Sequence, residues 1–254
     1  DSDYTLVLLD GVRLNSMGGG FDFGHLSTTG LEQLEAVRGP QSAVFGADAI
    51  GGVVQLRSKI GGRPAVSGEA ETGGYGTNRL TIGSTGSLGL FSWGAHVERS
   101  SSDGWTDVAP GTADYVTNDN DAAAAVAMAT GWKLSDRSTL RVDGRFSSDD
   151  RGYPGPFGSN PIGAYAGIDR ISRGRNDDGL GSVAFTHAWG PQSTLRVQGT
   201  YADLRSTFTS AWGDSSARTR RLTTHAQVDH AFSAQVATSV GVDLNGERGD
   251  STYI

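Results

Sequence analysis

The sequence predicts a mainly β fold, in which an α+β section (residues 1–62) precedes about nine antiparallel strands of a transmembrane β-barrel (residues 63–254). Three observations support this prediction. Beyond residue 62, segments of roughly 9 to 16 residues alternate between apolar and polar side chains. The connections between these segments alternate between short and long. The composition, with 38 glycines and 7 prolines in 254 residues, suits many strands and tight turns.

The first section begins with a strand, a turn and a glycine-rich loop. Thr5–Leu9 is a continuous apolar strand, and the Asp-Gly pair at position 10 is a turn signal. Val12–Asn15 resumes the strand. Ser16–Phe23 then forms a loop with three glycines and two aromatic side chains. The spacing of three leucines predicts a short helical stretch after this loop: Leu26, Leu31 and Leu34.

The segment from Leu34 to Arg57 carries the strongest pattern of the section. Leu34–Val37 is predicted as a strand, which the Gly-Pro pair at position 39 ends. Pro40 suits the first turn of a short helix over Gln41–Phe45. A glycine-rich turn then leads to a second strand, Val53–Leu56.

The second section shows the two-residue period of strands. Leu140, Val142 and Phe146 alternate with Arg141 and Arg145, so that the two sets point to opposite faces. If the apolar set faces lipid, the arginines at positions 141, 145 and 196 face the interior of a barrel. The predicted strands are 65–73, 77–87, 90–103, 121–134, 138–150, 176–189, 192–208, 218–233 and 236–249.

The connections favour an outer-membrane barrel over a soluble sandwich. Gly104–Asn120, Arg151–Arg175 and Thr209–Ala217 are long, and the connections between them are short, as in barrels with long loops on one side. Tryptophans lie beside the short turns, as in an aromatic girdle; ordinary sandwich packing is the alternative. Large outer-membrane barrels have about 22 strands, so we expect this chain to be an internal fragment, with no signal peptide visible.

The composition excludes several classes of function. The net charge of −7 disfavours a nucleic-acid partner, and the absence of cysteine excludes disulfides and thiolate metal sites. There is no run of 18 apolar residues that would form a membrane helix. The five histidines are scattered and match no catalytic spacing, so we expect no enzyme activity and no catalytic cofactor.

Two motifs carry a resemblance to a known family. The segment LEAVRGPQSAVFGADAIGGVVQL, from Leu34, resembles the end of the plug domain of TonB-dependent outer-membrane receptors, and VLLDGVRLN, Val7–Asn15, resembles the preceding strand. The resemblance implies the C-terminal half of a plug followed by part of a barrel. It also implies transport of a bulky, scarce nutrient, energised by the TonB–ExbB–ExbD complex, with membrane lipid around the barrel.

The same resemblance suggests site residues. The glycine loop of the plug would face the substrate: Ser16, Met17, Gly18, Gly19, Gly20, Phe21 and Asp22. Glu35 and Arg38 would anchor the plug to the barrel wall, since charges inside a polar lumen need partners. The segment GWTDVAPG…TNDNDA resembles a calcium-binding loop of the vitamin B12 receptors in this family, which implies Ca²⁺ ligands: Asp107, Asp119, Asp121 and, more loosely, Asp169.

Four interpretations of the function remain open from sequence, and one of them is a soluble carbohydrate-binding β-domain. Cobalamin is the first substrate, because of the loop similarity, and an iron–siderophore complex is the second, because plug motifs do not separate the two. A surface β-protein with a structural or adhesive role is the alternative from another class, and a plug-like module before the barrel argues against it. By composition alone, the acidic loop would be a solvated surface loop.

Overall fold

The structure, a computed structural model, describes residues 4–18, 20–46, 49–104, 116, 118–154 and 169–252. The described residues form two sheets. One has four strands in the order β2-β1-β4-β3, and the other has nine strands that follow one another in chain order. We call the first the plug sheet and the second the wall. This mainly β arrangement confirms the predicted fold class.

The plug sheet contains β1 (Thr5–Leu9), β2 (Val12–Arg13), β3 (Leu31–Arg38) and β4 (Gly52–Ser58). β1 and β4 run parallel, and the short helix α1 (Ser42–Phe45) lies between β3 and β4. The apolar runs of β1 and β4 are buried together, since their side chains pack on both faces of the sheet. The buried apolar residues are Leu6, Val7, Leu9, Ala49, Val53 and Leu56.

The predicted helical stretch between Leu26 and Leu34 is wrong. The structure has a single 3-10 turn at Phe23–His25, and β3 begins at Leu31. β3 pairs antiparallel with β4, with Val37 opposite Val53. The three leucines had the spacing of a helix, but pairing with β4 satisfies the backbone of this segment as a strand.

The wall is an antiparallel meander in which each strand pairs with the next. The strand positions agree with the sequence prediction within a few residues at most ends. Its strands are β5 (Ala65–Thr72), β6 (Asn78–Leu88), β7 (Phe91–Ser102), β8 (Asp121–Ser135), β9 (Ser138–Gly152), β10 (Arg173–Ala188), β11 (Ser193–Ser210), β12 (Gly213–Ala231) and β13 (Ala237–Thr252).

One predicted long loop is a tight turn. Ser210 pairs directly with Gly213, so β11 and β12 continue through the predicted loop Thr209–Ala217 and leave only Ala211 and Trp212 between them. Polar residues in this region, including Arg218, gave the segment a loop-like composition. The paired strands accommodate them because they extend beyond the apolar part of the wall.

The two faces of the wall differ in character. In one row of paired residues, Arg145, Leu180, Ala202 and Arg221 lie side by side and face the plug. The opposite face carries exposed apolar side chains, as expected for a surface in contact with lipid. These include Ile82, Val97, Val126, Met128, Phe146, Val183, Leu222, Val240, Val242 and Leu244. Among the described residues, no helix has the length and apolar character required to cross a membrane.

Aromatic side chains gather near the short turns of the wall. Phe91 stacks on Trp93 at 6.0 Å between ring centroids and contacts Trp132 at 5.4 Å. Trp189 follows β10 at the same end of the wall, and Phe232 follows β12. This grouping agrees with the aromatic girdle predicted from sequence.

Candidate functional site

Wall arginines hold the plug by its backbone. Arg145 donates to the carbonyl oxygens of Thr29 at 3.1 Å and Ser27 at 2.6 Å. Arg221 donates to the carbonyl oxygens of Arg13 and Asn15, each at 3.2 Å. Both arginines are buried, so their charges depend on these partners and, for Arg221, on an ion pair with Glu247 of β13. Each guanidinium therefore joins one wall strand to a turn of the plug.

An ionic cluster connects the plug turn after β1 to the wall. The Arg141 guanidinium donates to Asp10 Oδ1 at 2.9 Å and to Asp143 Oδ1 at 2.8 Å. Asp10 also accepts from the backbone N–H of Ser58 at 3.0 Å and from its hydroxyl at 2.5 Å. Ser182 donates to the second oxygen of Asp143 at 3.1 Å. Both carboxylates are thus held by several charge-assisted or neutral hydrogen bonds.

The plug turn at Asp10 and Gly11 lies directly against the wall. Gln198 donates from its side-chain amide to the carbonyl oxygen of Asp10 at 2.8 Å. Gly11 has a φ of +83°, and a Cβ added there would lie 2.5 Å from Gln198 Nε2. Glycine is therefore required for the left-handed backbone and for the close approach of the two parts.

On the other side, small residues let the plug approach the wall. A Cβ on Gly94 in β7 would lie 1.9 Å from the carbonyl oxygen of Lys59. Three alanines of β8 face inward and are buried: Ala125, Ala127 and Ala129. The plug thus contacts β9–β12 through polar side chains, whereas it approaches β7 and β8 closely because those strands carry glycine and alanine on their inward face.

The glycine loop of the plug lies at the end of the wall that carries the long connections. Met17 donates from its backbone N–H to Thr219 Oγ1 at 3.0 Å, and Asp22 accepts from the N–H of Gly24 at 2.8 Å. We call the adjoining space the loop-side cleft. It is lined by Leu14, Ser16, Gly20, Phe21 and Asp22 of the plug and by Asn176, Asp178, Leu204, Arg205 and Ser206 of the wall.

The structure thus brings four predicted substrate-binding residues to one cleft or its edge. Ser16, Gly20, Phe21 and Asp22 line it, and the exposed Met17 and Gly18 lie in the same loop. Gly19 lies outside the described residues. Contact of these residues with a substrate stays a prediction.

The predicted calcium ligands do not form a cluster within the described part of the chain. Asp107 lies outside it, and no group of three or more acidic or histidine side chains there could hold a metal ion. Asp169 accepts from the N–H groups of Ile171 and Ser172, each at 2.8 Å, and also from the Ser172 hydroxyl. Desolvation of Asp169 opposes ionisation, but these hydrogen bonds outweigh it and lower the pKa of its carboxyl group.

A buried side-chain oxygen lies beside the predicted ligand Asp119. Asn118 Oδ1 is buried and has no hydrogen-bond partner in the described structure, while its amide donates to the carbonyl oxygen of Ser172 at 3.0 Å. Asp119 is also buried and lies next to it in the chain. The sequence pattern includes Asn118 in the same run of oxygen-bearing side chains, but only Asp119 and Asp121 of that run were predicted as ligands.

Glu35 and Arg38 lie on β3, the edge strand of the plug sheet farthest in strand order from β1 and β2. Both side chains are exposed, and Glu35 accepts from Gln33 Nε2 at 2.6 Å. Among the described residues, neither forms an ion pair with the wall. Their predicted anchoring role stays a prediction. The described hydrogen bonds between plug and wall instead use the Asp10 carboxylate, the Met17 N–H group and backbone carbonyl oxygens of the plug, which polar residues on the inward face of the wall reach.

Comparisons with known proteins agree with this arrangement. Residues 1–53 match the model of the TonB-dependent receptor plug domain. A segment of 58 residues is 48% identical to the vitamin B12 transporter BtuB of Vibrio vulnificus, covering 22% of this chain and 10% of that protein. A segment of 96 residues is 35% identical to BtuB of Photobacterium profundum, covering 37% and 16%.

Solved structures share the fold over almost the whole chain. The siderophore receptor PiuA of Acinetobacter baumannii aligns with a TM-score of 0.75 at 15% identity, covering 98% of this chain and 39% of that one. A mutant of the ferric enterobactin receptor PfeA from Pseudomonas aeruginosa aligns with a TM-score of 0.69 at 18% identity, covering 98% and 42%.

The chain spans a small part of the curated relatives that it matches and about two fifths of these solved receptors. The plug match and the shared fold cover both of its sheets, and the relatives are receptors and transporters rather than enzymes. The chain therefore carries TonB-dependent receptor plug sequence in residues 1–53 and shares, over both of its sheets, the fold of the siderophore receptors PiuA and PfeA.

Proposed function

We propose that this chain is part of an importer that takes a bulky, scarce nutrient across the outer membrane. The observation that carries the proposal is the position of the plug glycine loop, which borders a cleft at the long-loop end of the wall. A substrate captured there would be held above the plug, and the plug would close the passage below it. We divide the chain near residue 62, with plug before it and wall after it.

The energy for plug movement would come from the TonB–ExbB–ExbD complex. The plug is held by ionic and carbonyl contacts, including those of Arg141, Arg145 and Arg221, which differ from an apolar core. Such contacts can exchange with water when the plug is pulled, since hydrogen bonds to water replace those to protein. The chain itself would carry out no covalent chemistry.

Cobalamin is the first substrate that we propose. The support is the identity to proteins described as vitamin B12 transporters, which reaches 48% over a segment of 58 residues. The glycines of the loop would let its backbone approach a large, rigid ligand. The long-loop region resembles that of vitamin B12 receptors as well.

An iron–siderophore complex is the second candidate. It is favoured by the similarity to PiuA and PfeA, which are described as siderophore receptors. The loop-side cleft combines Asp178 with Asn176 and Ser206, and either ligand could use such polar groups. The two candidates are separated by direct binding measurements.

We further propose that calcium orders the long loops. Asp107, Asp119 and Asp121 would supply carboxylates, and the buried Asn118 Oδ1 would add a neutral oxygen of the kind that calcium accepts. Asp169 would act through its turn with Ser172 and would not bind the ion. Calcium titration into the complete receptor, followed by chelator, tests this. Asp121→Asn should weaken binding, whereas Asp136→Asn on a short turn should not.

Calorimetric titration of the complete receptor in detergent tests the substrate. We expect cyanocobalamin to bind, and binding to weaken after calcium is removed. Binding of a ferric siderophore with no response to cyanocobalamin would transfer the assignment to the second candidate. If neither ligand binds and the protein is folded, the nutrient-import proposal loses its main support.

A further inference from the structure

We propose that an arginine cluster on the outward face of β11–β13 binds the phosphate groups of an anionic lipid in the outer leaflet of the membrane. The outer arginine cluster comprises Arg205, Arg218, Arg220 and Arg248. It lies on the side of the wall opposite to the plug, so it is separate from the contacts and the cleft described above, apart from Arg205, which also borders the rim of the cleft.

The strand register places the cluster next to the apolar surface. Tyr201 pairs with Leu222, and both are exposed on the outward face. Two residues further along each strand, Asp203 pairs with Arg220, which pairs with Arg248. Two residues span about 7 Å of a strand. The first arginines therefore lie about 7 Å beyond the exposed apolar side chains of Tyr201 and Leu222. That is the level at which lipid headgroups begin.

The row beyond this one adds two more arginines. Arg205 pairs with Arg218, which pairs with Asp250. All of these positions share the outward face, because the inward face of β12 carries Thr219 and Arg221, which contact the plug. The cluster therefore covers three adjacent strands at one height.

The carboxylates inside the cluster do not balance its charge. Asp203 accepts two hydrogen bonds from Arg218, at 2.7 and 2.5 Å, so both of its oxygens are engaged. Arg220 lies 3.8 Å from the same carboxylate, and Arg248 pairs with Asp250 at 3.5 Å. Asp177, which pairs with Arg205 in register, is engaged through both oxygens by Arg175 at 2.9 and 3.0 Å. With Arg175 included, five guanidinium groups thus face three carboxylates, in a chain whose net charge is −7.

The geometry suits phosphate better than it suits further carboxylates of the protein. Guanidinium groups bind phosphate oxygens through paired N–H donors, and several of them around one site can share the charge of one headgroup. Arg220 and Arg248 keep 42% and 75% of their side-chain surface exposed, so their donors are accessible. An anionic lipid would insert its acyl chains against Tyr201 and Leu222 while its phosphates reach the arginines.

A lipid fits this surface because its acyl chains and its phosphates can contact the apolar rows and the arginine rows at the same time. A soluble anion would contact only the charged rows, and a soluble protein partner would have to displace lipid from the apolar rows below them. The continuity of apolar and cationic rows on the same strands fits an amphipathic ligand that stands upright in the membrane.

The test uses the complete receptor in an uncharged detergent and lipid A as the probe. Native mass spectrometry would count bound lipid for diphosphoryl lipid A, monophosphoryl lipid A and phosphatidylcholine. We expect tightest binding of the diphosphoryl form. Replacing all four arginines with Gln should weaken that binding at least about tenfold, because each arginine near an anionic surface contributes a similar amount to the binding free energy. Their replacement with Lys should weaken it less, since charge is kept.

A single-site pair provides the matched control. Arg220→Gln should weaken binding of diphosphoryl lipid A measurably. Arg99→Gln, an outward arginine on β7 that lies next to Leu80 and Ala124 in register, should not. Equal binding of the diphosphoryl form and phosphatidylcholine by the unaltered receptor would overturn the proposal, and this outcome does not depend on any variant folding. Equal effects of Arg220→Gln and Arg99→Gln would also overturn it.

Discussion

Arg141 of the wall and Asp10 of the plug form an ion pair at 2.9 Å, although 131 positions separate them in the chain. Asp10 lies in the turn after β1, and Arg141 faces inward from β9. The same guanidinium holds Asp143 of its own strand, so one side chain connects the wall to the plug and orients a second carboxylate. The pair is therefore a defined point at which plug and wall can be uncoupled.

Replacing Arg141 with alanine should loosen the plug. Loss of the charge-assisted hydrogen bond leaves Asp10 largely shielded from water with only Ser58 as a partner, at a cost of about 2 kcal/mol. Plug unfolding in urea, followed by limited proteolysis, measures the effect. Arg196→Ala is the control, because Arg196 faces inward but pairs with Asp229 of the wall. Equal sensitivity of the two variants would contradict the role of the pair.

Gly11→Ala should destabilise the contact between plug and wall by two separable effects. The φ of +83° disfavours any side chain by about 1–2 kcal/mol, and the new Cβ would also collide with Gln198. Gln198→Ala in the same chain should relieve the collision, and Gln198→Ala alone is the reference for the hydrogen bond to the carbonyl oxygen of Asp10 that this change removes. Gly18→Ala provides the comparison, since its φ is +68° and no atom lies within 4 Å of an added Cβ. Thermal unfolding measures all of these variants; identical losses at both glycines would contradict the close approach.

Blocking the loop-side cleft should abolish substrate binding while the fold is kept. Ser206 lines the cleft from β11, so Ser206→Trp would fill it. Thr207 is the next residue and points to the outward face, so Thr207→Trp adds the same bulk elsewhere. Calorimetry with the bound nutrient should show loss of binding for the first variant and retention for the second. Retained binding in Ser206→Trp would place the substrate elsewhere.

The turn before β10 should respond to acid. Desolvation of Asp169 is outweighed by its hydrogen bonds, which lower its pKa, so the ionised form stabilises the folded turn at neutral pH. This contribution is present above the pKa of the unfolded chain and is lost as pH falls through the lower pKa of the folded state. Ser172→Ala removes one donor and should raise the pKa of Asp169. NMR titration of the carboxyl group measures both, and an unchanged pKa in the variant would contradict the assignment.

The strands of the wall could be predicted from sequence because their signal is local. Alternation at Leu140 to Phe146 assigns each side chain to a face without any knowledge of its partners. The inward direction of Arg141 and Arg145 follows from the same alternation. The tight turn at Ala211 and Trp212 was not predicted. The strand ends on either side of it extend beyond the apolar part of the wall, so their polar composition resembles that of a loop.

The contacts of the plug could not be predicted in the same way. Arg145 and Arg221 bind carbonyl oxygens, which every residue carries, so no sequence pattern marks their partners. The strand character of Leu31–Arg38 depends on pairing with β4, which lies beyond α1 in the chain. Glu35 and Arg38 lie in a recognisable motif, but neither forms an ion pair with the wall among the described residues, and their anchoring role stays a prediction.

Energy-dependent uptake tests the central claim most directly. Cells producing the complete receptor would be given labelled cyanocobalamin, and a labelled ferric siderophore in parallel, with and without TonB. The account predicts that one of these ligands binds at the cell surface in both strains and accumulates inside only when TonB is present. Accumulation of the bound ligand at the same rate without TonB would contradict import through an energised plug.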